Sequence, residues 1–392
     1  MAIDFTIPVE VDRLRSRVRD FVRDEVAPRE ARIFADGGPD DEVRLDLQAR
    51  AREAGLLSPH LPTRWGGLGL DVRGQSIVFE EAGWALLGPL ALNCAAPDEG
   101  NGHLLSKVGT PEQQERYLGP LARGEIRTAF AMTEPPPGAG SDPSALATTA
   151  RQVAGGWRID GEKRFITGAD GAAVTICMAR HDDRPGATMF LVEADNPGLR
   201  LVRHMETIDR ISVGGHAVVR FEDCFVPDDA VLGEVGKGFR NAQVRLGPAR
   251  LTHCMRWLGA ARRAHDIAVE HAADRRLFGD RLADHGMARQ VIADNVIDLT
   301  TAQTLIWRAA WALDSGDPAR DLTSIAKVQV SEAVGRIVDR SVQLAGGLGV
   351  AEESLLGRIY IEVRPFRVYD GPSEAHRWAL ARRVVPREEG RP

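Results

Sequence analysis

The spacing of apolar residues changes twice along this chain, at Gly124 and at Gly233, and this double change limits the fold more than any single motif does. Before Gly124 the spacing is helical. Leu14, Val18, Phe21 and Val22 share one face of a segment from Val9 to Val26, and similar patterns run from Val43 to Ala54 and from Ile77 to Leu87. Thr110-Pro111-Glu112-Gln113 adds a helix start with an N-cap hydroxyl, Pro at the first helical position and Gln at the capping-box position. Between the two glycines the segments are short, rich in β-branched or aromatic residues and bounded by Gly, Pro, Asp or Asn: 128–132, 157–159, 163–167, 174–179, 188–192, 199–203 and 217–221. Such segments predict a compact β-barrel or sandwich. After Gly233 long helical patterns return, near 238–274, 282–315, 318–344 and 372–385, and their short connections predict an antiparallel four-helix bundle. The expected fold is α+β, with an N-terminal α-helical domain (1–123), a middle β domain (124–233) and a C-terminal α-helical bundle (234–392).

Composition narrows the function classes. A chain of 392 residues with 43% apolar and 27% charged residues can bury a large core, and a net charge of -6 without a basic block argues against nucleic acid as partner. Cys94, Cys177, Cys224 and Cys254 form no CxxC pair and the histidines no pair-plus-carboxylate set, so neither a disulfide framework nor a metal is expected. His253 is the one histidine expected near a pocket. Met1 to Glu10 lacks the basic start of a secretory leader, and the longest apolar run, 172–179, is too short to span a bilayer. A cytoplasmic protein with no membrane partner is expected. No GxGxxG follows a strand, and GxxxxGK[ST], HExxH and GxSxG are missing, which sets aside a Rossmann dehydrogenase, a nucleotide triphosphatase, a zincin and an α/β hydrolase.

Four stretches could carry chemistry. Phe130 to Pro135, followed by Gly138-Ala139-Gly140-Ser141-Asp142, leaves a strand for a Gly-rich loop that offers hydroxyls and N–H groups to a polar ligand; a β-turn is the plain alternative. Lys163 to Gly168 sets an aromatic ring beside a hydroxyl on a second strand, or is a half-buried strand and nothing more. Arg275 to Gly279 breaks a long helix, as a helix C-cap also would. Tyr369-Asp370-Gly371-Pro372 puts a carboxylate on a stiff turn between two helical patterns, where Asp is equally at home as an N-cap or turn former. Ala345 to Gly349 looks like a phosphate loop but follows a helix rather than a strand.

Taken together, these stretches in this α, β, α order resemble the acyl-CoA dehydrogenase family over essentially the whole chain. The family's MTEP…GAGSD loop matches Met132 to Asp142, its K-x-[WF]-I-T strand Lys163 to Thr167, its R-x-x-FG Arg275 to Gly279, and its Q-x-x-GG-x-G Gln343 to Gly349. Its Y-E-G-T-x-x-I-Q turn falls on Tyr369 to Glu374. Gly247-Pro248-Ala249-Arg250, His253 to Arg256 and the Asp370-Gly371-Pro372…Glu374…His376 ending resemble the branch of family members ten and eleven, in which Asp replaces the catalytic Glu. Pro136 and Pro137 read as an insertion, and Pro372 and Glu374 replace the family's Thr and Gln.

The resemblance implies an FAD-dependent enzyme of lipid metabolism that desaturates an acyl-CoA thioester to the trans-2-enoyl thioester. It implies a homotetramer or dimer that passes electrons to an electron-transferring flavoprotein or similar acceptor. Phe130, Ala131, Met132, Thr133 and Ser141 would line the flavin, with Phe165, Ile166 and Thr167 packed on its ring. Arg275, Phe278, Gln343, Gly346 and Gly347 would reach the FAD of a neighbouring subunit, and Pro372 and Glu374 would close that site. Ser141, Arg250 and Gly371 would lie along the acyl-CoA, and Asp370 would be the general base. Two rivals share the scaffold: a flavin oxidase acting on a small carbon acid, similar to nitroalkane oxidases, and a non-catalytic assembly factor.

Overall fold

The computed structural model describes residues 3–351 and 354–385; positions 1–2 and 386–392, the outer ends of the first and third expected domains, and 352–353 lie outside the described residues. Contacts divide the chain into two compact units, one of Met1–Ala31, Asp71–Gly88 and Arg250–Pro392, the other of Arg32–Leu70 and Pro89–Ala249.

The second unit is built on an eight-stranded sheet. Its strands are β1 (Thr128–Ala131), β2 (Thr149–Val153), β3 (Gly156–Thr167), β4 (Val174–His181), β5 (Ala187–Glu193), β6 (Leu199–Met205), β7 (His216–Pro227) and β8 (Val231–Leu232), in the order β6-β7-β3-β2-β4-β5-β8, with β1 parallel to β4. Alternate residues of β4 serve opposite faces, as the two-residue period of a strand requires. Ile176 and Met178 join a core with Leu104, Leu118 and Leu121, whereas Cys177 and Ala179 pack with Trp157, Ile159 and Phe221. The expected strands 157–159 and 163–167 are one strand. Gly161 marks no turn there: a Cβ on it would collide with Thr148, so its glycine answers to a close approach. β2 had no counterpart in the sequence reading, because Arg151 and Gln152 are solvent-facing and break the apolar signal. Thr110 forms the expected capping box with Gln113.

The first unit is helical. Its elements are Val9–Phe21, Val72–Gly83, the long helix Gly238–Asp274 from Arg250 onward, Gly286–Asp314, Arg320–Ala345, Leu355–Val363 and Ser373–Val384. Asp314 accepts hydrogen bonds from the backbone N–H groups of Val72 (3.0 Å) and Arg73 (2.8 Å), setting an anion at a helix N-terminus where the dipole favours it. The helix Val72–Gly83 crosses the long helix backbone to backbone. A Cβ on Gly83 would overlap the carbonyl of Arg256, and one on Gly259 would overlap that of Glu80. Nearby, Arg263 pairs with the buried carboxylate of Glu30. No helix among the described residues is long and apolar enough to cross a membrane.

Candidate functional site

In the sheet unit, the residues expected near a flavin gather around one buried ion pair. Lys163 is wholly buried, and its Nζ donates to Glu134 Oε1 (2.8 Å), to the Met132 carbonyl (3.2 Å) and to the Met178 carbonyl (2.7 Å). Glu134 in turn accepts from the N–H groups of Ala139 (2.9 Å), Ala147 (2.6 Å) and Thr148 (2.8 Å). Burial works to raise the Glu134 carboxyl, but the Lys163 charge and these hydrogen bonds outweigh it and hold the carboxyl at about 2. One ionised side chain thus pins both ends of the loop that carries Ser141, which stands exposed.

The same pair ties β1 to β3. The Arg164 N–H donates to the Thr133 carbonyl (2.9 Å), which sets Phe130 to Thr133 beside Phe165 to Thr167. The register of β3 with β7 slips between Lys163 and Ile166. At that bulge Phe165 takes a left-handed backbone (φ 57°), its N–H meets Met205 Sδ at 3.4 Å, and its ring is 43% exposed. A β-bulge is a device for re-aiming a side chain, and here it holds the Phe165 ring partly in water with the Arg164 guanidinium 4.7 Å from its centroid. Thr167 Oγ1 lies 2.9 Å from His216 Nδ1 beside it. These residues fit a flavin: a flat apolar contact next to hydroxyl and backbone groups.

In the helical unit, Asp370 and Gly371 form a turn with both residues left-handed (φ 54° and 94°). Asp370 does not cap the last helix, whose N-cap position is Pro372. A non-glycine residue held left-handed costs about 1–2 kcal/mol, so the surroundings must enforce it. They do so through its carbonyl, which accepts from Arg250 Nε (3.1 Å) and from His376 Nε2 (3.1 Å). Burial and the Arg250 charge press His376 down to about 4, so it is neutral, and because a carbonyl only accepts, its proton is on Nε2. A Cβ on Gly371 would come within 2.8 Å of that ring nitrogen. One turn earlier, the wholly buried Lys327 donates to the Phe366 carbonyl (2.7 Å); burial lowers it to about 8 although the charge of Asp370 works the other way. The Asp370 carboxylate has His253 Nε2 at 3.3 Å.

The expected residues therefore fall into separate groups. Phe130 to Thr133 and Phe165 to Thr167 come together in the sheet unit; Asp370, Gly371 and Arg250 come together in the helical unit, with Pro372 and the exposed Glu374 starting the last helix. Arg275 and Phe278 lie just beyond the end of the long helix, while Gln343, Gly346 and Gly347 lie at the end of Arg320–Ala345, and all five are exposed. A Cβ on Gly346 or Gly347 would meet nothing within 4 Å. Lys327 is not among the sequence candidates, and His376 enters there only as part of the branch motif. A lysine on the buried stripe of Thr323, Ala326, Val330 and Val334 was the available signal for the first; for the second only its place in the motif was available. Among the described residues no group of three or more His, Cys, Asp or Glu side chains could hold a metal ion.

Comparison with known proteins agrees with this architecture. The acyl-CoA dehydrogenase N-terminal, middle and C-terminal domain families match residues 9–125, 129–224 and 236–385. The chain is 34% identical to the probable acyl-CoA dehydrogenase FadE2 of Mycobacterium tuberculosis, covering 99% of this chain and 98% of that one. It is also 34% identical to acyl-CoA dehydrogenase family member 11 of Gallus gallus, over 93% of this chain but only 49% of that longer protein. The structure of a putative acyl-CoA dehydrogenase from Mycobacterium abscessus superposes with a TM-score of 0.89 at 34% identity, over 97% of this chain and 99% of that one. With three consecutive domain matches and a relative matched over 98% of its length, this chain belongs to the acyl-CoA dehydrogenase family and is an FAD-dependent oxidoreductase.

Proposed function

We propose that this protein removes the α-proton and the β-hydride of an acyl-CoA thioester, with Asp370 as the base, leaving a trans-2-enoyl thioester. FAD, when bound, supplies the hydride acceptor; Phe130 to Thr133, Ser141 and Phe165 to Thr167 would hold it, with Arg275, Phe278, Gln343, Gly346, Gly347, Pro372 and Glu374 serving the cofactor of a neighbouring subunit. The observation that supports Asp370 most strongly is its backbone, left-handed and clamped at the carbonyl by Arg250 and His376. A residue that merely formed a turn would not need two side-chain donors, one of them the buried His376, to hold it. Asp is one methylene shorter than Glu, and a fixed main chain compensates by removing the freedom with which a short side chain would miss the α-proton. The thioester carbonyl would gain enolate character as the proton leaves, and the backbone N–H of Asp370 is the donor suited to it. Arg250, Gly371 and Ser141 would lie along the acyl-CoA, and an electron-transferring flavoprotein would receive the electrons.

The test is turnover of a broad acyl-CoA panel with an artificial electron acceptor, on the native protein and on Asp370→Asn. Loss of a positioned base costs about 10²- to 10⁴-fold, with FAD content and acyl-CoA binding retained. Near-native turnover by Asp370→Asn would sink the assignment, and rapid reoxidation of the reduced enzyme by oxygen would redirect it to an oxidase. A colourless protein would leave the scaffold reading.

A further inference from the structure

Where the last residue of β3 meets the first of β7, three polar side chains stand in line. Thr167 and His216 are register partners across those strands, and Met205, the last residue of β6, pairs with His216 on its other side. His216 Nδ1 lies 2.9 Å from Thr167 Oγ1, and its Nε2 lies 2.9 Å from Oδ2 of Asp209, on the connection from β6 to β7. The side chains of His216 and Asp209 are largely buried, 16% and 13% exposed. Burial works to raise the Asp209 carboxyl, but the hydrogen bond and charge of His216 and the hydroxyl of Thr207 outweigh it and hold the group below the usual carboxylate range. An ionised carboxylate only accepts, so Nε2 carries hydrogen in every state of the ring. Nδ1 is then the one place where the ring can change, and each of its states fixes Thr167. A bare Nδ1 accepts the Oγ1 hydrogen, and the hydroxyl shows lone pairs to whatever lies beyond it. A protonated Nδ1 donates to Oγ1, which leaves the hydroxyl hydrogen free to be donated outward.

We infer that Asp209 and His216 are positioning residues that set the direction of the Thr167 hydroxyl toward the flavin, making it acceptor or donor according to the proton on Nδ1. The inference rests on Phe165 to Thr167 lying against the cofactor. A flavin gains hydrogen on reduction, so a hydroxyl at its polar edge serves both redox states only if it can exchange these roles. The strand ends hold the line in place: the Gly168 N–H donates to the Gly215 carbonyl (2.9 Å), and the Phe165 N–H meets Met205 Sδ. Charged and titratable groups stand on each neighbouring element. On β3, Lys163 pairs with Glu134 and Arg164 lies over the Phe165 ring. His204 of β6 lies 3.2 Å from Asp170, and Arg127 is held by Asp41 (2.7 Å) and by the carbonyls of Gly168 (3.0 Å) and Asp170 (2.7 Å). Glu206 and Arg210 share the connection with Asp209.

The test is one pH titration of the FAD-loaded protein followed in two ways. ¹⁵N NMR of labelled histidine, assigned by the signal missing from His216→Gln, should show a ring whose Nε2 stays protonated while Nδ1 gains its proton as the pH is lowered. The visible band of the oxidised flavin, which responds to hydrogen bonds at the ring, should shift with the same midpoint. That shift should be lost in His216→Gln and in Thr167→Val, which keeps the β-branched shape without the hydroxyl. Asp209→Asn leaves an acceptor for the Nε2 hydrogen but removes the charge beside the imidazolium, so both midpoints should fall together by about one pH unit. A flavin band that differs in Thr167→Val yet does not follow the Nδ1 titration in the native protein would overturn the inference and leave the flavin contact standing. A ring with a bare Nε2, or an Nδ1 that holds one state wherever the protein stays folded, would also overturn it. A Thr167→Val protein with an unaltered flavin band would remove Thr167 from the cofactor, and this inference with it.

Discussion

At the scale of single residues, Asp370 and Lys327 show what sequence does and does not disclose. Asp370 was legible because Tyr369 to Glu374 is contiguous and the turn chemistry is local. Lys327 was not, because its meaning lies in a partner 39 positions away, the Phe366 carbonyl. Lys327→Met should leave that buried carbonyl without its donor and cost about 1–3 kcal/mol in denaturant unfolding. The pH dependence has a definite sign. The folded value of about 8 lies below the ordinary lysine value of 10.5, so between them the unfolded chain binds more protons, and native stability gains with rising pH from this group. Lys327→Met should lack that rise between pH 8 and 10.5; an unchanged slope would show that the lysine titrates normally. Asp370→Glu restores the family's usual acid on a main chain clamped for the shorter one, and partial activity with altered substrate preference is expected from the acyl-CoA panel.

At the scale of elements, the helices and most strands followed from periodicity, whereas features that depend on close approach did not. Gly161 resembled a turn because a glycine between Asp160 and Glu162 carries the same sequence signal whether the chain bends or another backbone comes near. Gly83 and Gly259 were equally silent, although a methyl group at either would drive two helices apart. Gly259→Ala should therefore destabilise by several kcal/mol, through overpacking that has no flexible side chain to yield. The Glu134 hub titrates in the same sense as Lys327, but in the acid range. Its contribution is complete above the ordinary glutamate value of 4.5 and is lost as pH falls toward the folded value of about 2. Thermal unfolding of Glu134→Gln should be lower at neutral pH and flatter in acid than that of the native protein; parallel curves from pH 5 to 2 would show that the loop does not depend on this charge.

At the scale of the whole molecule, Phe278, assigned to a neighbour's cofactor, and apolar side chains near the assigned residues in sequence have exposure that a lone subunit would not explain. Phe278 is 91% exposed on a left-handed backbone (φ 49°), and Met287, Leu348 and Val350 are 84%, 57% and 72% exposed. Leaving such side chains in water forgoes about 1.5–3 kcal/mol each relative to full burial, and the strained left-handed Phe278 is met inside the subunit by an edge contact with His285, 6.3 Å between centroids. Association would recover that burial, and would bring Arg275, with its charge free to meet a pyrophosphate, to the cofactor of the adjacent subunit. The native protein should therefore sediment as a dimer or a tetramer carrying one FAD per subunit. Arg275→Ala should bind FAD more weakly without dissociating. Phe278→Ser removes the apolar contact and should both shift the sedimentation toward smaller species and lower the FAD content, since on this reading the cofactor site is completed only by assembly. A native monomer that retains FAD, or a Phe278→Ser protein with full FAD and unchanged sedimentation, would separate the cofactor from the interface and refute the assignment of Arg275 and Phe278.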